Sequence, residues 1–464
     1  MVFSSLLFLC IFLPAVLLCY NLSKNLTYRN IVLIVFSLVF YAWGEPVWVL
    51  MLLFSAMVDY TCGRVIDKYR GKWQQKAALL SSLIINFGIL ITFKYSGFIV
   101  GNISAILNID IPFSGFSLPL GISFYTFQTV SYTIDVYRND TPVQKSPLKY
   151  LTYLSMFPQL VAGPIVRYAD VAKQIDERTV TREDFEYGVY RFTQGMFKKV
   201  LLANSAGAVA TSLLGSNLGQ ASSLTAFLGM LMYTFQIYFD FSGYSDMAIG
   251  MGRFFGFKFL ENFNYPYISL NATEFWRRWH MSLSSFFRDY VYIPLGGNRK
   301  KQIRNIMVVW MLTGFWHGAS WNFILWGLYY GVILIIEKKL FNQKLLKLPK
   351  PLGLVYSSVI IFFGWTLFYF TDMGQITVFL KALFGFNGGF YDLTALTTLL
   401  SNVFLIVLLF VSSTPYPKNL YLKICEKHPA VATVCTPVLI LTVMGVAFTL
   451  LVGQTYNPFL YFRF

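Results

Sequence analysis

Long apolar runs separated by short polar connections dominate the pattern of hydrophobic and polar positions along this chain. Several runs are too short or too long for one clean span, so the pattern predicts an all-α polytopic membrane protein with roughly 11 transmembrane helices plus re-entrant or interfacial helices. No stretch suits a separate soluble domain, and one membrane domain is expected over residues 1–464. The apolar runs lie near 1–20, 31–58, 77–103, 117–136, 147–163, 191–214, 224–252, 305–336, 352–371, 376–386, 396–412 and 430–453.

The low number of charged residues narrows the classes of protein to which this chain can belong. Only 12% of the 464 residues are charged, whereas a soluble domain carries about 25%, which excludes soluble enzymes, coiled coils and disordered scaffolds. The net charge of +16 is attributed to cytoplasmic loops and anionic lipid rather than to nucleic acid. The first 20 residues lack a basic start and a cleavage site, so they are expected to form a retained span. The five cysteines show no metal-ligand spacing, and no metal is expected.

A hairpin between two basic loops is too short to cross a membrane comfortably. Lys and Arg in short loops mark the cytoplasmic side, and Arg304 and Lys338 bound the hairpin at its two ends. About 33 residues separate them, whereas two full spans need about 40. The hairpin is therefore expected to be re-entrant or to cross a thinned membrane, with its midpoint at 316–320. Residues 31–63 form a second apolar hairpin of the same short length, so short hairpins could also be a general feature of this fold.

His317 lies at that midpoint and is one of only three histidines. A helix rise of about 1.5 Å per residue places it past the middle of the hydrocarbon core. Intramembrane ionisable groups normally face a protein interior or a wet cavity, and imidazole can exchange a proton with a hydroxyl nucleophile near pH 7. A hydrogen-bonded histidine that bridges packed helices is the structural alternative. The neighbouring candidates for lining a pore are Trp316, Ser320 and Asn322.

The segment 274–297 places aromatic residues on one side of a helical wheel and Arg277 and Arg288 on the other, with His280 at the border. This pattern predicts one amphipathic interfacial helix. Its arginines are candidates for binding the phosphates of a cytoplasmic acyl donor, because arginine binds phosphate in a bidentate manner. Contact with phospholipid head groups is an equal alternative.

Two carboxylates, Asp240 and Asp246, lie inside an apolar run and should be paired or solvated in a cavity. Structural pairing is the stronger interpretation, and both remain candidates for lining a pore. Pro158, Gly163 and Pro164 interrupt another apolar run, and such breaks are tolerated where a helix borders a cavity or packs inside protein.

Several segments together resemble the membrane-bound O-acyltransferase (MBOAT) superfamily, within it the bacterial branch of alginate and peptidoglycan O-acetyltransferase membrane subunits and the teichoic acid D-alanyl transfer protein. The resemblance covers most of residues 117–340, which would form the MBOAT catalytic core. The matching segments are FPQLVAGPIVRY (157–168), YFDFSGYSDMAIG (238–250), ENFNYPY (261–267), EFWRRWHMSLSSFFRDYVYIPLGGNR (274–299), LTGFWHGASWNFILWG (312–327) and NPFLYFRF (457–464).

The resemblance implies a ring of tilted helices around a thinned centre, where an outer funnel meets a cytoplasmic tunnel. It places the family's catalytic histidine at His317 and a second one at His280. It also implies an acyltransferase of the bacterial cytoplasmic membrane that takes acetyl from acetyl-CoA toward an extracytoplasmic SGNH-type partner, which then acetylates a wall or exported polysaccharide. Two alternatives stay open: D-alanyl transfer from a carrier protein to teichoic acid, and a transporter or flippase for a wall precursor.

Overall fold

The regular secondary structure in the computed structural model is helical throughout residues 1–160, 163–215, 217–341, 349–453 and 459–460, which are the residues that the structure describes. Two compact units are present, Met1–Phe192 with Tyr244–Leu260, and Thr193–Gly243 with Glu261–Phe464. Parts of the motifs at 157–168 and 457–464 lie outside the described residues. The single membrane domain and the catalytic core at 117–340 stay predictions.

The first unit is held together around a buried carboxylate, Asp59. Three helices meet there, Val49–Lys68, Trp73–Leu90 and Ile122–Arg138. Asp59 accepts hydrogen bonds from Asn86 Nδ2 at 2.8 Å, from Thr133 Oγ1 at 3.1 Å and from the Ser82 hydroxyl. Burial of a carboxylate is costly without such partners. The other helices are Phe8–Phe12, Leu13–Asn21, Leu26–Ala42, Ile91–Tyr95, Ser96–Leu107, Pro147–Ser155, Phe157–Leu160 and Tyr168–Glu177.

The second unit contains the hairpin predicted from the basic loops. Its two helices are Gln302–His317 and Trp321–Ile336, and the chain turns at residues 318–320. Helices Arg182–Met196 and Ser223–Phe254 contribute residues to both units. The other helices are Phe197–Ala203, Asn204–Leu214, Pro266–Ile268, Ala272–Arg278, Met281–Phe287, Arg288–Tyr292, Glu337–Phe341, Lys350–Tyr369, Met373–Leu383, Leu393–Ser401, Val403–Ser412, Tyr416–Lys427 and Pro429–Val452.

Four described helices are long and apolar enough to cross a membrane, and a bent pair raises the number to five if it counts as one span. The pair, Leu393–Ser401 and Val403–Ser412, bends by 61°. This number does not confirm the prediction of roughly 11 spans. Both hairpin helices, for example, have only 16 residues and are shorter than a full span. The four helices are Val49–Lys68, Trp73–Leu107, Lys350–Tyr369 and Pro429–Val452.

The prediction of one amphipathic helix over 274–297 is wrong. A first helix ends at Arg278, a second begins at Met281, and His280 between them has a left-handed backbone with φ of 43°. The Met281 N–H donates to Asn262 O at 3.0 Å, and the Ser282 N–H donates to Asn262 Oδ1 at 3.3 Å. Asn262 thus satisfies N–H groups that a continuous helix would have bonded internally.

Candidate active site

His280 is held at the break between the two short helices by the side chain of Asn262. The imidazole Nδ1 lies 3.1 Å from Asn262 Oδ1. The backbone N–H of Ser282 also points at this Asn262 atom, and a backbone N–H can only donate. The Asn262 atom is therefore the amide oxygen rather than the amide nitrogen, and it accepts both hydrogen bonds. His280 Nδ1 must therefore carry the hydrogen and donate it to Asn262. The neutral ring consequently keeps its lone pair on Nε2, the nitrogen that a general base uses.

Burial decides the charge of His280, which lies outside the candidate spans. The residue is 1% exposed, and desolvation lowers the pKa of its imidazole to about 3. The charged form is disfavoured because burial removes its hydration. His280 is therefore uncharged at physiological pH.

His317 occupies the last turn of the first hairpin helix and is buried. The two hairpin helices approach so closely here that a Cβ added at Gly314 would lie 2.3 Å from Phe323 O, and one at Gly327 would lie 2.4 Å from Trp310 O. Only glycine permits this approach. The His317 ring is enclosed by aromatic side chains, with centroid separations of 5.0 Å to Trp326 and 5.2 Å to Phe368.

One cavity of about 220 Å³ is lined by both histidines and both predicted arginines, His280, His317, Arg277 and Arg288. Its walls come from the two short helices and from the hairpin, and most of the wall is aromatic or aliphatic. Trp316 contacts both imidazoles, with centroid separations of 5.7 Å to His280 and 4.9 Å to His317. The structure thus brings together four residues from two segments that the sequence analysis singled out separately.

The basic residues at the cavity differ in how they are engaged. Arg288 forms a two-point ion pair with Asp289, with Nε–Oδ1 of 2.7 Å and Nη2–Oδ2 of 3.1 Å. Arg277 is exposed. Desolvation, together with the charges of Arg277 and Lys339, lowers the pKa of Lys338. Positive charge is therefore concentrated around Arg277, where an anionic group would be attracted.

Glu337 supports this region and was missed by the sequence analysis. Its buried carboxylate accepts from the backbone N–H groups of Ala272 at 2.7 Å and Thr273 at 2.8 Å, at the first turn of the helix that carries Arg277. A carboxylate is favoured at that end of a helix. The sequence feature that could have identified Glu337 is its position as an acidic residue at the end of an apolar run, directly before Lys338 and Lys339.

The two predicted aspartates, Asp240 and Asp246, form ion pairs and are not among the residues that line the cavity. Asp240 pairs with Lys199 at 2.5 Å and also accepts from the Leu460 N–H at 2.7 Å. Asp246 pairs with Arg191 at 2.7 Å. Both pairs are buried, in agreement with the pairing expected from the sequence, whereas a pore-lining role stays a prediction.

The remaining predicted residues lie at or just after the hairpin turn. Ser320 precedes the second hairpin helix with an extended backbone and is half-buried. Asn322 is buried and donates to Leu367 O at 3.2 Å. Within the described residues no donor reaches Asn322 Oδ1, so a buried acceptor remains near the turn. Neither residue lines the described cavity.

The chain belongs to a family of acyltransferases: it matches the MBOAT, membrane-bound O-acyltransferase, family over residues 138–371. It is 41% identical to the probable alginate O-acetylase AlgI of Azotobacter vinelandii, over 83% of this chain and 79% of that protein. It is 34% identical to the peptidoglycan O-acetyltransferase of Helicobacter pylori, over 84% and 80%. It is also 34% identical to the teichoic acid D-alanyltransferase of Bacillus subtilis, over 54% and 67%. The resemblance inferred from the motifs is confirmed.

Proposed function

We propose that this acyltransferase moves an acetyl group from cytoplasmic acetyl-CoA across the bacterial cytoplasmic membrane. The acceptor is an extracytoplasmic SGNH-type partner, which passes the acetyl group to a cell-wall or exported polysaccharide. The observation that carries the proposal is that His280, His317 and Arg277 line one and the same cavity. It combines groups for proton transfer with positive charge suited to the phosphates of a donor.

The chemistry proposed for the cavity is transfer of an acyl group from sulfur to oxygen. The acceptor hydroxyl oxygen attacks the thioester carbonyl carbon, a C–O bond forms and the C–S bond breaks. His317 takes the hydroxyl proton, and the imidazolium then returns that proton to the departing thiolate. In a variant of this route His317 carries the acetyl group transiently. His280, neutral and oriented by Asn262, positions the donor or relays the proton.

Acetyl is favoured over D-alanyl as the transferred group by the pattern of similarity. The O-acetylase and O-acetyltransferase relatives match more than four fifths of this chain, whereas the D-alanyltransferase of B. subtilis matches 54% of it. A transporter or flippase would consume no thioester, and membership of an acyltransferase family does not support that alternative. Labelled acetyl-CoA separates the cases, because only acetyl transfer places the label on the protein or on its partner.

His317→Ala tests the assignment. We expect loss of polymer O-acetylation with normal amounts of the protein in the membrane, because removal of a general acid–base group costs about 10²–10⁴-fold in rate. His428→Ala is the matched control, since His428 is exposed and adjoins the last long helix. Normal acetyl content in the His317→Ala strain would contradict the proposal.

A further inference from the structure

A second and larger opening lies in the same compact unit. It is an apolar groove of about 490 Å³ between helices Ser223–Phe254, Lys350–Tyr369 and Val403–Ser412. No described residue that lines it is charged. Its volume lies within the range of about 300–1,000 Å³ typical of ligand sites. The acyl-transfer proposal gives this groove no role.

The groove is more apolar than its residue types indicate. Five lining residues carry hydroxyl groups, and four of these hydroxyls donate to backbone carbonyls. Thr234, Ser413 and Thr414 each donate at 2.8 Å to a carbonyl three or four residues earlier, and Tyr267 donates to Thr234 O. Their hydrogens are therefore not available to a ligand. The lining favours hydrocarbon and gives a polar ligand little to bind.

Two of the helices at the mouth of the groove belong to candidate membrane spans. Lys350–Tyr369 is one of the four candidate spans, and Val403–Ser412 belongs to the bent pair. Phe227 is 46% exposed, Val359 50% and Phe410 51%, all at the groove. Large apolar side chains exposed on a membrane span face lipid. Hydrocarbon of the bilayer therefore has direct access to the groove.

We infer that this groove binds one acyl chain of a membrane phospholipid as a defined site. A transmembrane helix of another protein is the alternative occupant, and crosslinks between protein chains through groove residues would indicate it. A single flexible chain enters a narrower space and adapts to its walls.

The bound acyl chain would lie against aromatic residues that adjoin the cavity containing His280. Tyr267 lines the groove and Trp279 lines the cavity that contains His280. Phe275 stacks on both rings, with centroid separations of 6.1 Å to Tyr267 and 5.5 Å to Trp279. One layer of aromatic rings thus separates the lipid site from the cavity. The inference itself does not depend on the acyl-transfer proposal, since its test measures lipid binding alone.

Photo-crosslinking tests the site. The full-length protein is reconstituted in vesicles of phosphatidylglycerol, a fraction of which carries a diazirine in its acyl chain, and labelled peptides are mapped by mass spectrometry. We expect labels on the peptides that contain Phe362 and Phe410. Val359→Trp, which fills the mouth, should reduce this labelling several-fold. Val355→Trp, an exposed position on the same helix outside the groove, should leave it unchanged.

The result that overturns the inference is equal labelling of the native protein and Val359→Trp. Labels confined to surfaces outside the groove, or crosslinks between protein chains through groove residues in place of lipid, overturn it as well. Leu231→Phe, which fills the groove from another helix, replaces Val359→Trp if that variant does not elute as a folded protein.

Discussion

At the scale of single residues, Asn262 and His280 act as one unit. The sequence pointed to His280 through the rarity of histidine and through the motif around it. It could not give the orientation of the ring, because the partner of Nδ1 lies 18 residues earlier in the chain. The proton position follows only from the three-dimensional placement of the Asn262 oxygen against the Ser282 N–H.

Replacement of His280 by asparagine separates its chemistry from its structural role. Asparagine tolerates the left-handed backbone at this position and can donate to Asn262, but it lacks Nε2. We expect His280→Asn to accumulate and to unfold near the native temperature while its acetyl transfer falls by about 10²-fold or more. Transfer from labelled acetyl-CoA and a thermal unfolding curve are the two measurements. Retained transfer in a folded His280→Asn protein would remove Nε2 from the mechanism.

At the scale of elements, helix existence was more predictable than helix continuity. The last long helix, predicted near 430–453, is Pro429–Val452 in the structure. The turn of the short hairpin also falls within the predicted midpoint at 316–320. The segment 274–297 failed because a helical wheel assumes an unbroken helix, whereas Asn262 binds the chain at the break. A periodicity argument contains no information about such a distant partner.

The hairpin should be sensitive to a single methyl group at its glycines. Gly314→Ala would place a Cβ 2.3 Å from Phe323 O, so the two helices must move apart. Overpacking of this kind costs about 1–3 kcal/mol, and we expect a lower unfolding temperature together with impaired transfer. Gly445→Ala is the matched control, because a Cβ there meets no atom within 4 Å and the residue also lies inside an apolar helix. Equal unfolding temperatures for the two variants would contradict the close packing described here.

At the scale of the whole molecule, each compact unit contains a buried ion pair on helix Ser223–Phe254. Asp246 pairs with Arg191 in the first unit and Asp240 pairs with Lys199 in the second. The sequence predicted that these carboxylates would be paired, since charge is scarce in this chain, but not which cations they meet. The number of spans was less predictable, because an apolar window does not reveal whether its helix bends or ends early.

The ion pair in the second unit gives a test of that arrangement. Asp240→Asn leaves the buried Lys199 charge without this carboxylate, and loss of one partner from a buried pair costs about 3–5 kcal/mol. The double variant Lys199→Met, Asp240→Leu removes both charges and should be more stable than Asp240→Asn. Unfolding temperatures of the two variants and the native protein measure the effect. A double variant that is less stable than Asp240→Asn would argue against charge burial as the cause.

The Asn262 oxygen ties the shape of the backbone to the reactivity of the imidazole. The same side-chain oxygen accepts the Ser282 N–H, in the first turn of the helix Met281–Phe287, and the hydrogen that fixes the His280 tautomer. By thermodynamic linkage, a movement that pulls this loop away would also weaken the preference for the reactive tautomer. Conversely, anything that binds selectively to that tautomer makes the local fold harder to open. Substrate at His280 Nε2 should therefore slow hydrogen exchange at the Ser282 amide, at a position that it does not touch.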